Sequence, residues 1–130
     1  MKAAFPVHDG HFDGLRVEEQ TATLFLRQSD GTRCELLVQG LENLQMDDFR
    51  QGNIVTLLEV ISGDAPIAHS FLDRILIPPH QSVAKGAHGD LLDALLARIQ
   101  RQECGLLLLQ SAYGADLVAI CKSATFRTIG

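Results

Sequence analysis

Thr21-Ala22-Thr23-Leu24-Phe25-Leu26, then Gln28-Ser29-Asp30-Gly31-Thr32, then Cys34-Glu35-Leu36-Leu37-Val38-Gln39 is the stretch that decides the fold class. Its first part is rich in β-branched and aromatic residues, which suit a pleated, half-buried surface. Its middle holds Asp-Gly, where glycine takes a positive φ without a Cβ clash and the chain reverses tightly. The third part reads as the returning strand. Residues 24–38 are therefore a β-hairpin.

Toward the N-terminus, Leu15-Arg16-Val17 alternates as a further strand. On the other side Gly40 breaks the pattern. Leu41, Leu44 and Met46, mixed with Glu42, Asp47 and Asp48, are too few for a helix and read as a loop or single turn. Arg50-Gln51-Gly52-Asn53 turns into Ile54–Ile61, a run apolar on both faces, as in a strand covered on each side. Ser62–Pro66 ends it. Phe71 to Ile77 is the next strand, stopped by Pro78-Pro79, where the missing donor ends a ladder. Residues 80–89, with Gly86 and Gly89, read as a loop.

One helix is expected over about 90–102. Asp90 can cap it, Asp93 suits the first turn, and Leu91, Leu92, Leu95, Leu96 and Ile99 form one apolar stripe. Arg98 and Arg101 suit its last turn and Gly105 closes it. Leu106–Gln110 and Leu117–Lys122 then flank Ser111–Asp116 as a second hairpin, with Ala124–Arg127 continuing the last strand across a bulge. The sum is about seven strands and one helix: an α+β domain spanning 1–130, mostly antiparallel β, built as a sandwich or an open curved sheet.

Composition bounds the function. Hydrophobic residues are 46% and charged residues 21% of 130, an ordinary globular balance that excludes disordered and collagen-like chains. The aromatic share is 5%, so the core must be mainly Leu, Ile and Val. The net charge is −5; residues 1–65, with eleven acids against five bases, carry −6, and residues 66–130, with five acids and six bases, carry +1. The acidic half repels phosphate, and no basic cluster suggests nucleic-acid binding; acidity of this kind ordinarily just keeps a protein soluble, and the alternative is that it steers a basic protein partner. No apolar run reaches the ~18 residues of a membrane span, and the start lacks a signal-peptide pattern. The expectation is a cytoplasmic protein without nucleic-acid or membrane partners.

Cys34, Cys104 and Cys121 lack Cys-x-x-Cys spacing and have apolar neighbours, as buried small hydrophobes do. No Gly-x-Ser-x-Gly elbow, P-loop or Gly-x-Gly-x-x-Gly motif is present, and no cysteine has a neighbouring histidine. The densest polar cluster is His8-Asp9-Gly10-His11-Phe12-Asp13. In an extended segment Asp9, His11 and Asp13 point to one side, and such ligands suit a divalent zinc, manganese or iron ion. His8, Asp9, His11 and Asp13 are thus candidate metal ligands; the competing reading is a polar turn bonding its own backbone. His69, His80 and His88 are scattered, and loop histidines are commonly solvated. Glu18-Glu19 and Asp47-Asp48 are adjacent acids whose side chains point apart on a strand; they suit a protein interface better than acid–base work.

His8-Asp9 ahead of a strand pair with an Asp-Gly turn, and the late stretch Ser111-x-Tyr113-Gly114-Ala115-x-Leu117-x-Ala119-Ile120-Cys121, resemble small bacterial β-rich proteins of uncharacterised function. Some of these look like immunity proteins of polymorphic toxin systems. The resemblance follows the element order of most of the chain and carries over no catalytic residue. It implies a protein-binding or unassigned bacterial domain. The absence of a complete catalytic constellation and the charge asymmetry then favour a non-enzymatic module without a cofactor that binds another protein, or itself as a homodimer. Two other readings stand beside it: a metal-binding domain or small metal-dependent hydrolase, and a small-ligand binder with its pocket between sheet and helix.

Overall fold

A computed structural model describes residues 2–67, 72 and 85–129. Among these are nine strands and a helix: β1 (Lys2–Ala4), β2 (His11–Glu18), β3 (Thr21–Arg27), β4 (Arg33–Gln39), β5 (Asn43–Asp47), β6 (Asn53–Ile61), α1 (Lys85–Gln100), β7 (Gly105–Tyr113), β8 (Asp116–Cys121) and β9 (Ser123–Thr128). The α+β class and the antiparallel sheet agree with the sequence; the strand count is nine rather than seven. The hairpin forms where its residues demand it, with Leu24 opposite Leu36 and Leu26 opposite Cys34. Gly31 sits at φ 90°, and the Thr32 amide donates to the Asp30 carboxylate at 2.9 Å.

All pairings among the described residues are antiparallel, in the order β5-β8-β7-β6-β2-β3-β4-β9, with β1 also on β6. β8 and β9 stand toward opposite ends of this path, yet only Lys122 separates them in sequence, and its amide donates to the Gln39 carbonyl at 2.9 Å. The sheet therefore curls around an interior. Phe12, Leu24, Leu36, Val55, Leu107 and Leu117 fill that interior from six strands, each 1% exposed or less. Burying a leucine so fully contributes about 2 kcal/mol. The Phe5 and Phe126 rings stack at 6.0 Å beside this core.

A second core lies on the other face of β7 and β8. Leu106, Leu108, Val118 and Ile120 meet Leu95 and Ile99 of α1, with Ile61, Leu72 and Cys104 around them. The run Leu106–Leu109 is buried on both faces because its side chains alternate between the two cores. β6, expected to be covered on both sides, sends Val55 and Leu58 to the first core and Ile61 to the second, but leaves Ile54 at the surface.

Several boundaries differ from the sequence expectation. Asn43–Asp47, read as a loop, is a strand because it pairs with β8 from Asn43–Ile120 to Asp47–Asp116. Lys2–Ala4 likewise becomes a strand by lying along β6. β2 begins at His11, since Phe12 is drawn into the core. Residues 85–89, expected in a loop, are helical, so Asp90 and Asp93 lie inside α1 rather than at its cap and first turn. The two glycines cost helix propensity without preventing it, since the packed face outweighs about 1 kcal/mol each. Of the stripe, Leu95 and Ile99 are buried while Leu91 faces solvent. The helix ends at Gln100, before Gly105, and is closed by Gln102, whose φ of 62° allows the Glu103 amide to reach the Arg98 carbonyl and the Gln102 amide to reach that of Ile99, each at 3.0 Å. That is a Schellman closure with glutamine where glycine is usual. The final hairpin narrows to Gly114-Ala115, and Ser123–Thr128 pairs with β4 rather than staying on β7. The strand expected over 71–77 lies outside the described residues except for Leu72, which is buried with helical backbone. Residues 80–84, with His80, and His69 lie outside them as well.

Candidate functional site

Asn53 opens β6 and is fully buried. Its side-chain oxygen accepts from the Ala115 amide at 2.8 Å and the Arg50 amide at 2.9 Å, and its Nδ2 donates to the Phe12 carbonyl at 3.0 Å. One amide thus ties β2, the β5–β6 turn and the β7–β8 hairpin together. Gly114 permits the approach: a Cβ there would stand 1.9 Å from the Asn53 oxygen, and φ is 104°.

What this clasp holds outward is apolar and aromatic. Phe49 meets Phe12 edge-on at 5.6 Å and keeps 45% of its surface exposed. Ile54 is 38% and Tyr113 51% exposed, and the two are direct cross-strand partners. His11 is the partner of Ile54 on the other side, so His11, Ile54 and Tyr113 form one row across three strands. The Arg50 guanidinium sits 5.6 Å over the Tyr113 ring and donates to Asp48 at 3.2 Å. Tyr113 and Asp48 together hold Arg50 firmly charged. Phe, Tyr and Arg held on a rigid base are the residue types that anchor protein interfaces. The sequence does carry one signal for them: in a chain so poor in aromatics, Phe49 and Tyr113 fall beside turn residues (Asp48, Gln51-Gly52 and Gly114) where no core can receive them.

The four metal candidates lie near the same end but are not gathered. His8 Nδ1 and Asp9 Oδ2 are 3.2 Å apart and both largely exposed. Asp9 has φ 63° in a turn fixed to Val55 by backbone hydrogen bonds. His11 is half-buried in the strand ladder. The register shift between Phe12 and Gly14 disrupts the alternation that would align Asp13 with Asp9, and Arg27 grips the Asp13 carboxylate through two bonds of 2.8 and 2.9 Å. Among the described residues no three His, Cys, Asp or Glu side chains form a metal-holding group.

The acidic pairs are split between the two ends of the sheet. Glu18 and Glu19 are at the β2–β3 turn, lining an open groove of about 820 Å³ with Gln20, Thr21, Gln39 and Gly40. Asp47 ends β5 and Asp48 follows it, beside the aromatic row. Much of the N-terminal acidity is neutralised within the fold: Asp13 pairs with Arg27, Glu18 with Arg16, Glu35 with Arg127, Glu42 with Arg98, and Asp48 with Arg50. Arg16, Arg27 and Arg50 are already counted in the charge of this half, but Arg98 and Arg127 come from outside it, so its field is weaker than the sequence count by about those two charges. The three cysteines are free and buried, as expected. Burial raises each thiol, Cys121 to about 11, which suppresses the nucleophilic thiolate. Between helix and sheet, where the small-ligand reading places its pocket, the second core packs.

No helix of the described residues is long and apolar enough to cross a membrane. No family model matches the chain, and no curated protein does. Its fold is similar to the crystal structure of an uncharacterized protein from Neisseria gonorrhoeae, with a TM-score of 0.54 over 99% of both chains at 9% identity. That likeness shows a shared architecture and agrees with the resemblance to uncharacterised bacterial β-rich proteins; it says nothing of immunity proteins.

Proposed function

We propose that the chain is a non-enzymatic protein-binding module whose contact surface is the end of the sheet bearing Phe49, Arg50, Ile54 and Tyr113. The observation that carries this reading is the exposure of Phe49 and Tyr113 on a base made rigid by buried Asn53. A preorganised surface loses little entropy on association, and central aromatics flanked by arginine supply the anchoring contacts. Asp47 borders the patch, and Asp48, although paired with Arg50 in solvent, adds a second carboxylate there; both favour a partner with basic residues at its rim, as an immunity-like module facing a basic toxin or effector would require. The thiols, pushed up by burial, favour no cysteine chemistry.

The test is affinity capture from bacterial lysate with the wild type and a Phe49→Ala, Tyr113→Ala variant of equal melting temperature. A basic protein retained by the wild type and weakened at least about thirtyfold by the variant supports the reading. Recovery of nothing but a second copy overturns it. Elemental analysis of the same preparation addresses the metal-binding alternative, since a divalent ion retained in stoichiometric amount would redirect attention to His8, Asp9, His11 and Asp13.

A further inference from the structure

β3 pairs with β2 from His11 to Glu18, but among the described residues only His11 and Phe12 reach β6 on the other side. Gly14–Glu18 therefore presents an open edge. Val17 lies opposite buried Ala22 and so faces the core side of the sheet, yet it is 50% exposed, because the core ends there. Arg16 and Glu18 project from the other face, 65% and 69% exposed, in a solvent-screened pair of 3.5 Å that a partner's opposite charges can replace. The edge thus offers unpaired backbone, a half-open valine, and one charge of each sign on either side of it.

We propose that this edge pairs antiparallel with the same edge of a second copy, about a two-fold axis at Val17. The sequence is self-complementary in that register. Arg16 stands opposite the partner's Glu18, Glu18 opposite the partner's Arg16, and the two Val17 side chains lie together where each core is open. Edge pairing supplies main-chain hydrogen bonds, and the charge pairs fix the register. The other strands that have a free side among the described residues do not offer this: β1 carries only Lys2, β5 only Asp47, and β9 only Arg127, so self-pairing of any of them brings no opposite charges together. Pairing at β2 leaves the row of His11, Ile54 and Tyr113 on a different part of the sheet, so the dimer does not depend on the protein-binding reading.

Sedimentation velocity of the full chain, from low micromolar to near-millimolar concentration, tests this. The wild type shows a concentration-dependent monomer–dimer equilibrium. Arg16→Glu or Glu18→Arg turns both opposite-charge pairs into like-charge pairs and weakens the dimer about tenfold or more, and the double reversal restores it to within a few-fold. Val17→Lys, which sets two ammonium groups together at the axis, weakens it independently. Circular dichroism melting of every variant checks folding. A wild type that stays monomeric throughout, a dimer indifferent to the single reversals, or a double reversal that fails to restore it overturns the proposal.

Discussion

Asn53→Ala isolates the contribution of one amide. The side chain is fully buried and makes three hydrogen bonds. In the variant the Ala115 amide and the Phe12 carbonyl lose their side-chain partner inside residues that are 0% and 1% exposed, while the Arg50 amide, at the surface turn, recovers water. A buried polar group left without a partner costs about 1–3 kcal/mol, so two cost about 4 kcal/mol. For a chain of this size that lowers the melting temperature by about 15 °C. Asn53→Asp keeps the shape and separates hydrogen bonding from packing. Its carboxylate places an oxygen where Nδ2 faced the Phe12 carbonyl, whereas the neutral acid can still donate there. The aspartate's folded pKa is therefore raised above its unfolded value of about 3.9, and the native state binds the extra proton. Stability relative to wild type falls as pH rises through that window. Urea denaturation followed by circular dichroism should find Asn53→Asp close to wild type near about pH 4 and clearly weaker near about pH 7, with Asn53→Ala weak at both. A loss below about 1 kcal/mol for Asn53→Ala, or an equal deficit for Asn53→Asp at both pH values, refutes the clasp.

Gln102→Gly should raise stability by about 0.5 kcal/mol in thermal melts, since glycine relieves the left-handed backbone at the helix end while adding some unfolded-state entropy. Glu42→Gln, breaking the partly exposed pair with Arg98, should cost under about 1 kcal/mol, and less at high salt. Ellman's reagent should leave all three cysteines unmodified in the native protein and titrate three in urea, because burial raises every thiol; rapid native labelling would contradict the packing. Asp30 is held below the ordinary carboxylate range by the Thr32 amide and hydroxyl. Its contribution is present above the unfolded value and lost as pH falls through the folded one, so Asp30→Asn should flatten the acid limb of the stability profile.

What was legible in the sequence is what local chemistry dictates. Asp30-Gly31 reverses the chain, the flanking alternation pairs the strands, and the run from Leu106 to Leu109 announces a segment covered on both faces. β1 and β5 were not legible because their pairing partners, Val60 and Val118 among them, lie far along the chain and carry the pattern that they themselves lack. The helix start was masked by Gly86 and Gly89, whose unfavourable propensity is a local cost that tertiary packing overrides. At the candidate site, His8 to Asp13 drew attention by being adjacent in sequence. Arg27, on the next strand, claims the Asp13 carboxylate, and only the register brings it there. The aromatic row joins Ile54 with Tyr113, and no spacing rule connects residues so far apart.

The passage of the chain from β8 to β9 through Lys122 also bears on how the protein is made. Thr128 pairs with Cys34, and Leu117 with Leu109, so one late segment completes both halves of the ladder. Until residues 116–128 leave the ribosome, β4 and β7 each wait with a bare edge and an open core. Contacts of such sequence separation form slowly, and waiting edges invite pairing between chains. A stop placed before Asp116 would therefore yield an aggregating polypeptide rather than a slightly smaller domain, and the nascent protein has most to gain from a chaperone in the interval just before its last strand appears.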